Sequence, residues 1–361
     1  MNMLLRLTPA PVYKIKGIVG RLTAALPDFV HLKIAKALGD QNLYPHLDSH
    51  LRLILSFYAK LGRGALLEKE VQESRRDFKN DMYAIAGKPT QVSSINNFSI
   101  PKPGGSLSVR HYIPELNDVD AALNPLIIFF HGGGLMVGDL DTHDEPCRLL
   151  CKYAECSVLS VNYRLAPEYP APAAIEDGWD VLLWAHDNAA QLKINPRKIA
   201  VSGDSAGGYI AAVISQVAIQ TPFAPCAQLL FYPGLDMEDT HPSRKAFSQG
   251  LFVQEKDIAR ARESYALASD LELDDPILSP IRGKIKGLNP VMMVTPEYDV
   301  VRSENEVYTD RLHKAGVVCH SILVEGQTHG FINFTSINRS ALKATIQCAK
   351  DFGQLLREIP L

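Results

Sequence analysis

A serine lies within the sequence Gly203-Asp204-Ser205-Ala206-Gly207, between an apolar run and a helical pattern. A serine hydroxyl becomes a useful nucleophile when a sharp turn exposes it and a nearby base takes its proton. The flanking glycines permit such a turn, and a helix that begins at Ala206 points its first amides toward developing negative charge. The pattern predicts that Ser205 attacks a carbonyl carbon. The alternative is a turn serine without chemistry, because a five-residue motif alone is weak evidence.

A second glycine-rich motif, His131-Gly132-Gly133-Gly134, directly follows another apolar run. Glycines leave room for a substrate oxygen, so the backbone amides of such a loop can stabilise an oxyanion. We expect the amides of Gly132, Gly133 and Ala206 to do this, each donor lowering the barrier by about 3–4 kcal/mol. The alternative is a flexible glycine turn after a strand.

The general base must be one of the 11 histidines. His329 lies in a glycine-bracketed loop after the last predicted strand, where open sheets of this class bind ligands. Asp299 closely follows the preceding strand and is the predicted acid that orients His329, since the chain order serine, acid, histidine fits this motif. Glu297, on the same loop, is the alternative acid. Asp204 is expected to brace the turn around Ser205.

Composition excludes several classes of protein. The chain of 361 residues is 46% hydrophobic and 21% charged, with a formal net charge of −3, which gives no reason to expect nucleic acid as a partner. Its apolar runs are too short to span a bilayer, and Arg6 interrupts the short N-terminal run expected of a secretory signal. Six cysteines without a CxxC pair predict free thiols in a reducing compartment.

The hydrophobic periodicity changes near residue 90. The first part reads as helical, with Ile15, Ile18, Val19, Leu22 and Leu26 on one face of the first helix. That helix is either a basic amphipathic membrane anchor or, as we favour, part of a cap packed over the site. After it, apolar runs typical of buried strands alternate with helical patterns. The predicted strands are Asn97–Ile100, Ser106–Ile113, Leu126–Phe130, Ser157–Asn162, Ile199–Val201, Gln228–Tyr232, Val291–Thr295 and Val317–Val324.

This alternation predicts an α/β fold, with a mostly parallel sheet flanked by helices. Residues 1–90 would form an N-terminal helical cap region, and residues 91–361 a catalytic domain. The polar, proline-punctuated segment at about 236–286 would be an insertion that adds to the cap.

The motifs together resemble the hormone-sensitive-lipase-like bacterial carboxylesterases of the α/β-hydrolase superfamily. The resemblance spans residues 125–335, and its pieces occur in a specific order. They are His131-Gly-Gly-Gly134, Tyr163-Arg-Leu-Ala-Pro-Glu168, Gly203-Asp-Ser-Ala-Gly-Gly208, Tyr232-Pro233 and His329-Gly-Phe331. The loop after Asp299 departs from the family pattern, because Val300, Val301 and Ser303 replace the usual Pro, Leu and Asp.

The resemblance implies a serine esterase for short- to medium-chain esters, with Ser205, Asp299 and His329 as its triad. The free thiols expected above indicate a cytoplasmic location. The hydrolysis needs no metal or organic cofactor. The expected partner is a small ester substrate, without nucleic acid or stable membrane insertion. The resemblance also favours a homodimer, through an edge strand at Val317–Val324. An amidase or formamidase with the same machinery is the nearest alternative, and a non-catalytic receptor of the same fold is the alternative from another class.

Overall fold

The computed structural model describes residues 11–62, 64–115, 124–238 and 241–360 of the chain. In these ranges eight strands form one sheet, in the order β1-β2-β4-β3-β5-β6-β7-β8. The strands are β1 (Ser94–Lys102), β2 (Gly105–Ile113), β3 (Leu126–Phe130), β4 (Ser157–Asn162), β5 (Ile199–Asp204), β6 (Gln228–Phe231), β7 (Val291–Tyr298) and β8 (Cys319–Thr328). The hairpin β1–β2 joins β4 in antiparallel register, and the six strands from β4 to β8 are parallel.

Helices cover both faces of the parallel strands β3 to β7, whose residues are almost all buried. The helices are α1 (Pro11–Thr23), α2 (Asp28–Leu38), α3 (Ser49–Lys60), α4 (Val71–Ile85), α5 (Asp144–Ala154), α6 (Ala173–Asp187), α7 (Ala189–Leu192), α8 (Ala206–Val217), α9 (Pro242–Ala246), α10 (Glu255–Ala261), α11 (Arg302–Lys314) and α12 (Arg339–Glu358). The predicted α/β class, with a mostly parallel sheet and flanking helices, is confirmed.

Every predicted strand corresponds to an observed one, and the main difference lies at the last strand. The predicted strand ends at Val324, whereas β8 continues through Glu325-Gly-Gln-Thr328. Pairing with β7 extends this polar segment, because Thr328 lies opposite Tyr298 after a register shift. As a result β8 ends immediately before His329.

The first helix turns a different face toward the protein than its apolar pattern predicts. Gly17 and Gly20 of α1 approach Ala84 and Ile337. Ile18 and Leu22, predicted for the buried face, are instead exposed, Leu22 by 71%. Glycine allows the close approach of backbones, so from residue 17 onward α1 packs on the protein through Gly17 and Gly20.

The segment at about 236–286 contains α9, α10, the π-helical turn Arg262–Ala266 and the 3-10 turn Pro280–Arg282. It touches the N-terminal helical region, since Leu67 donates its backbone N–H to Asp257 Oδ1 at 2.7 Å. Among the helices that the structure describes, none has both the length and the apolar composition needed to cross a membrane.

Candidate active site

The candidate site is built from the residues that directly follow the six parallel strands. Because parallel strands end at one edge of the sheet, these six residues meet in the crevice there. They are His131 after β3, Tyr163 after β4, Ser205 after β5, Tyr232 after β6, Asp299 after β7 and His329 after β8. The topology thus brings together residues that are up to 198 positions apart in the chain, from His131 to His329.

Ser205, His329 and Asp299 form a continuous hydrogen-bonded chain. Ser205 Oγ lies 2.7 Å from His329 Nε2. His329 Nδ1 lies 2.9 Å from each carboxylate oxygen of Asp299. Asp299 is fully buried and His329 is 4% exposed, so these bonds lie in a protected environment. This geometry allows a proton to pass from the serine to the imidazole.

Ser205 has a backbone conformation that non-glycine residues seldom adopt, with φ 53° and ψ −117°. Such a conformation costs about 1–3 kcal/mol and persists only where the surroundings enforce it. Its backbone N–H donates to Phe231 O at 2.9 Å, and Phe231 is the last residue of the neighbouring strand β6. The turn projects the hydroxyl out of the sheet and toward His329, and α8 begins at the next residue.

The negative charge of Asp299 raises the pKa of His329. Burial by itself would lower the pKa of the imidazole, but the Asp299 carboxylate and its hydrogen bond outweigh that effect. The pKa of His329 is therefore raised above its ordinary value of 6.5. Asp204 and Asp257 act in the same direction from a greater distance.

One predicted oxyanion donor does not fit the observed geometry. Gly132 donates its backbone N–H to Asp204 Oδ1 at 2.8 Å, so that amide is already committed. In the described part of the chain, the amides of Gly133, Gly134 and Ala206 have no acceptor. Gly133 and Gly134 have positive φ angles of 121° and 60°, which suit glycine. Gly134 is the neighbouring amide that could replace Gly132.

Asp204 braces the turn, as its position next to the nucleophile predicts. Besides the Gly132 amide, its carboxylate lies 3.3 Å from His143 Nε2. That imidazole nitrogen is also 3.1 Å from Asn333 Nδ2, close to the loop after His329. Asp204 therefore links the glycine loop, the serine turn and the segment that follows the histidine.

Two tyrosines support the imidazoles. The ring of Tyr163 stacks on His131 at 4.3 Å, and its hydroxyl donates to His131 O at 2.7 Å. The ring of Tyr232 lies 4.7 Å from that of His329. These residues belong to the motifs of the family resemblance, but their sequence pattern alone gave them no role.

Glu297, the alternative acid, lies away from His329. Its carboxylate accepts the backbone N–H of Gly326 at 2.9 Å and lies 3.9 Å from His46 Nδ1. It therefore supports the bulge in β8 rather than the imidazole.

A small cavity of about 50 Å³ opens beside His329, between the sheet and the N-terminal helices. Its walls are mostly apolar and aromatic, with the carboxylate of Asp81 as the one acidic side chain. The lining residues are Tyr58, Leu66, Phe78, Asp81, Met82, Ile85, Phe252, Val253, His329, Gly330, Asn333 and Phe334. Such a surface suits the apolar part of a small substrate.

No motif points to Arg75, which joins α4 to the loop that follows the glycine motif. Its Nε donates to Met136 O at 2.8 Å, and its two terminal nitrogens bind Glu168 at 2.8 and 2.6 Å. Met136 in turn donates its N–H to Gly133 O at 3.1 Å. A side chain of the N-terminal region thus contacts the candidate oxyanion loop through one intermediate residue.

Comparison with known proteins gives a consistent result. A family model described as the alpha/beta hydrolase fold matches residues 127–333. The chain is 36% identical over 307 residues to the carboxylic ester hydrolase LipN of Mycobacterium tuberculosis, covering 83% of this chain and 80% of LipN. It is 31% identical to the ethyl acetate hydrolase of Pseudomonas putida, over 87% of this chain and 100% of that protein.

A solved structure extends the similarity to three dimensions. The chain superimposes with a TM-score of 0.81 on a mutant of LAE6, an alpha/beta hydrolase enzyme from the metagenome of Lake Arreo, Spain. The two are 31% identical, and the match covers 87% of this chain and 100% of the other.

Proposed function

The chain belongs to the alpha/beta hydrolase fold family, as one of its hormone-sensitive-lipase-like bacterial carboxylesterases, and on that premise we propose how its residues hydrolyse an ester. The enzyme is a carboxylic ester hydrolase, as its relatives are. The observation that carries the proposed mechanism is the hydrogen-bonded chain from Ser205 Oγ through His329 to Asp299.

Ser205 is the nucleophile in this mechanism. Its Oγ forms a bond to the acyl carbon while its proton moves to His329 Nε2, and the carbonyl electron pair moves onto oxygen. Asp299 holds the Nδ1 proton and stabilises the imidazolium. The tetrahedral intermediate then collapses, the bond to the alkoxy oxygen breaks, and His329 returns its proton to the departing alcohol.

Water completes the cycle at the acyl-enzyme. His329 takes a proton from water and the hydroxide forms a bond to the acyl carbon. The bond to Ser205 Oγ then breaks as His329 returns the proton to that oxygen, which releases the acid and restores the free enzyme. In both halves the oxyanion is bound by the amides of Gly133 and Ala206, with Gly134 in the place predicted for Gly132. This assignment is supported because these amides donate to no acceptor within the described ranges. Each proton transfer in the cycle passes through His329.

The substrates in this proposal are short- to medium-chain esters, because the cavity beside His329 is small and mostly apolar. A series of p-nitrophenyl esters from acetate to palmitate tests this, with turnover expected to peak at a short or medium acyl chain. A peak at palmitate would contradict the substrate range. Matched anilides would identify an amidase, if they were hydrolysed as fast as the esters.

The role of Ser205 is tested in the same assay. Ser205→Ala should keep the fold and lose most of the turnover, so that the remaining rate is about 1,000- to 10,000-fold above the uncatalysed reaction. A serine-directed phosphonate should add its mass to the wild-type enzyme and not to this variant. Labelling of the variant would place the nucleophile elsewhere.

The location and assembly proposed for the enzyme rest on fewer observations. Six free cysteines, five of them buried, support a cytoplasmic enzyme, and fractionation of cells would test it. A homodimer would pair β8, the last strand at one edge of the sheet, with its twin. Light scattering that gives the mass of one chain would contradict the dimer.

A further inference from the structure

Large apolar side chains are exposed along the helix–turn–helix segment of α1 and α2, which we call the hairpin; α1 packs mainly on α4, and α2 on α3. Of the fifteen such side chains exposed in the described residues, six lie between positions 18 and 34. They are Ile18, Leu22, Leu26, Phe29, Leu32 and Ile34. Leu22 and Phe29, on either side of the turn between the helices, are each 71% exposed. We call these six residues the hairpin patch, since large apolar side chains exposed in one short segment mark an interaction site.

The opposite face of the hairpin is fixed to the protein, so the patch has a defined orientation. Arg21 donates to Ala84 O at 2.9 Å, across to α4. On α2, His31 is buried, stacks on His50 of α3 at 4.8 Å and binds Thr23 O at 2.8 Å. The patch is therefore the outer face of a docked hairpin.

The hairpin is basic, although the whole chain is acidic. Residues 11–38 contain five basic residues and one acidic residue, a net charge of +4, while the whole chain has −3 and the remainder therefore −7. The basic residues are Lys14, Lys16, Arg21, Lys33 and Lys36, and the acidic one is Asp28. A basic helical segment with exposed Leu and Phe side chains is typical of a surface that binds anionic lipid.

On α2 the two kinds of residue share one face. Phe29, Leu32, Lys33 and Lys36 follow the spacing of three and four residues that aligns side chains on a helix, and all four are exposed. Neither lysine has a carboxylate partner in the described part of the chain. Long lysine side chains can reach headgroups while the neighbouring apolar side chains enter the acyl boundary.

We propose that the hairpin patch docks the enzyme onto an anionic lipid surface. Pairing with a second copy is less suitable, since a two-fold interface through this patch would bring the lysines of both copies, Lys33 and Lys36 of each, into one interface. A lipid surface with anionic headgroups matches both the apolar and the charged residues. Docking would hold the hydrolase where apolar esters are concentrated, but binding itself does not depend on the proposed mechanism.

Vesicle co-sedimentation tests this proposal with the full chain. The wild type should bind vesicles of phosphatidylcholine with phosphatidylglycerol at least about tenfold more tightly than vesicles of phosphatidylcholine alone. Lys33→Gln with Lys36→Gln should weaken binding to the anionic vesicles by about 20- to 30-fold, near fivefold for each lysine. Leu22→Ser with Phe29→Ser should remove most binding to either vesicle.

The matched control is Leu267→Ser with Val307→Ser, which removes two exposed apolar side chains elsewhere and should leave binding unchanged. All these variants should hydrolyse a water-soluble acetate ester at the wild-type rate, which shows that they fold. Ser205→Ala should bind vesicles like the wild type, so a failure of the proposed mechanism would remain distinguishable.

Three results would overturn the proposal. The first is a wild type that binds neither vesicle, or a Leu22→Ser/Phe29→Ser variant that binds as tightly as the wild type. The second is a wild type with the mass of a dimer in solution and a Leu22→Ser/Phe29→Ser variant with the mass of a monomer, because the patch would then pair two copies. The third is loss of binding only when residues 2–10 are removed, which would assign it to that segment.

Discussion

At the scale of single residues, the raised pKa of His329 predicts how activity depends on pH. Catalysis needs the neutral imidazole, which is lost as pH falls through its pKa in the free enzyme. Because the Asp299 carboxylate raises that pKa, the acid limb of kcat/KM should have its midpoint above 6.5. Asp299→Asn should move the midpoint downward and lower kcat by about 1,000- to 10,000-fold, since the imidazole then loses its orienting acceptor.

The measurement is a pH profile of ester hydrolysis for both proteins, with stability followed at each pH. Glu297→Gln is the matched control, because this carboxylate binds Gly326 rather than His329. A midpoint that stayed in place in Asp299→Asn, or that moved equally in Glu297→Gln, would argue against this assignment of the acid.

Asp204 carries a second prediction at this scale. Asp204→Ala would leave the buried Gly132 amide without an acceptor, at a cost of about 1–3 kcal/mol in the free energy of unfolding. It should also lower kcat by tenfold or more, since the glycine loop loses its link to the serine turn. Asp204→Asn keeps an acceptor oxygen and should retain most of the stability in urea unfolding. Equal losses in both variants would mean that the charge matters rather than the hydrogen bond.

The motifs predict which residues form the candidate triad, but not the direction of each backbone amide. The roles of Ser205, Asp299 and His329 can be predicted because each residue follows a strand pattern. Parallel strands end at the same edge of the sheet, so residues after them lie close together. The role predicted for Gly132 does not fit the direction of its amide, because a motif does not say where each amide points. Its N–H is taken by Asp204, a contact set by the folded turn rather than by residue type.

At the scale of elements, α4 is predicted to act on the oxyanion loop through Arg75. Arg75→Ala removes the donors to Met136 O and Ala166 O, and Met136, together with Val137, donates its N–H to Gly133 O. We expect kcat to fall by about tenfold with little change in KM, less than the 100- to 1,000-fold cost of losing an oxyanion donor itself.

Arg75→Lys should recover part of kcat, because an ammonium can bind one of these carbonyls but cannot reproduce the guanidinium fork. Arg76→Ala, at the next and exposed position of α4, is the matched control and should behave like the wild type. A change in KM alone, or an equal loss in Arg76→Ala, would contradict a positioning role.

The elements themselves were largely predictable, and the exceptions have physical causes. A strand such as β3 is a continuous apolar run, which only a sheet buried on both faces accommodates. The end of β8 was missed because Glu325-Gly-Gln-Thr328 gains its strand geometry from β7. The buried face of α1 was missed because an apolar stripe is the usual inner face, whereas here two glycines allow the closest approach.

At the scale of the whole molecule, three buried histidines predict how the fold responds to acid. Burial lowers the pKa of His50, His111 and His131 from 6.5 to about 4, and neighbouring histidines add to this for His50 and His131. Between these values the unfolded chain binds protons that the folded chain excludes, so the free energy of unfolding falls as pH drops from 6.5 toward 4. Each histidine contributes up to about 1.4 kcal/mol per pH unit. The raised pKa values of His241 and His329 act in the opposite direction.

His111 is the best of the three to test, because it lies on β2 and its Nε2 has no partner among the described residues. In His111→Gln the free energy of unfolding, measured by urea titration between pH 4.5 and 6, should depend less steeply on pH by about 1.4 kcal/mol per pH unit. The exposed His320→Gln on β8 serves as the control and should keep the wild-type slope. If His111→Gln retained the wild-type slope as well, His111 would bind its proton equally in the folded and the unfolded chain. Burial of His111 in the sheet would then not make the fold sensitive to acid.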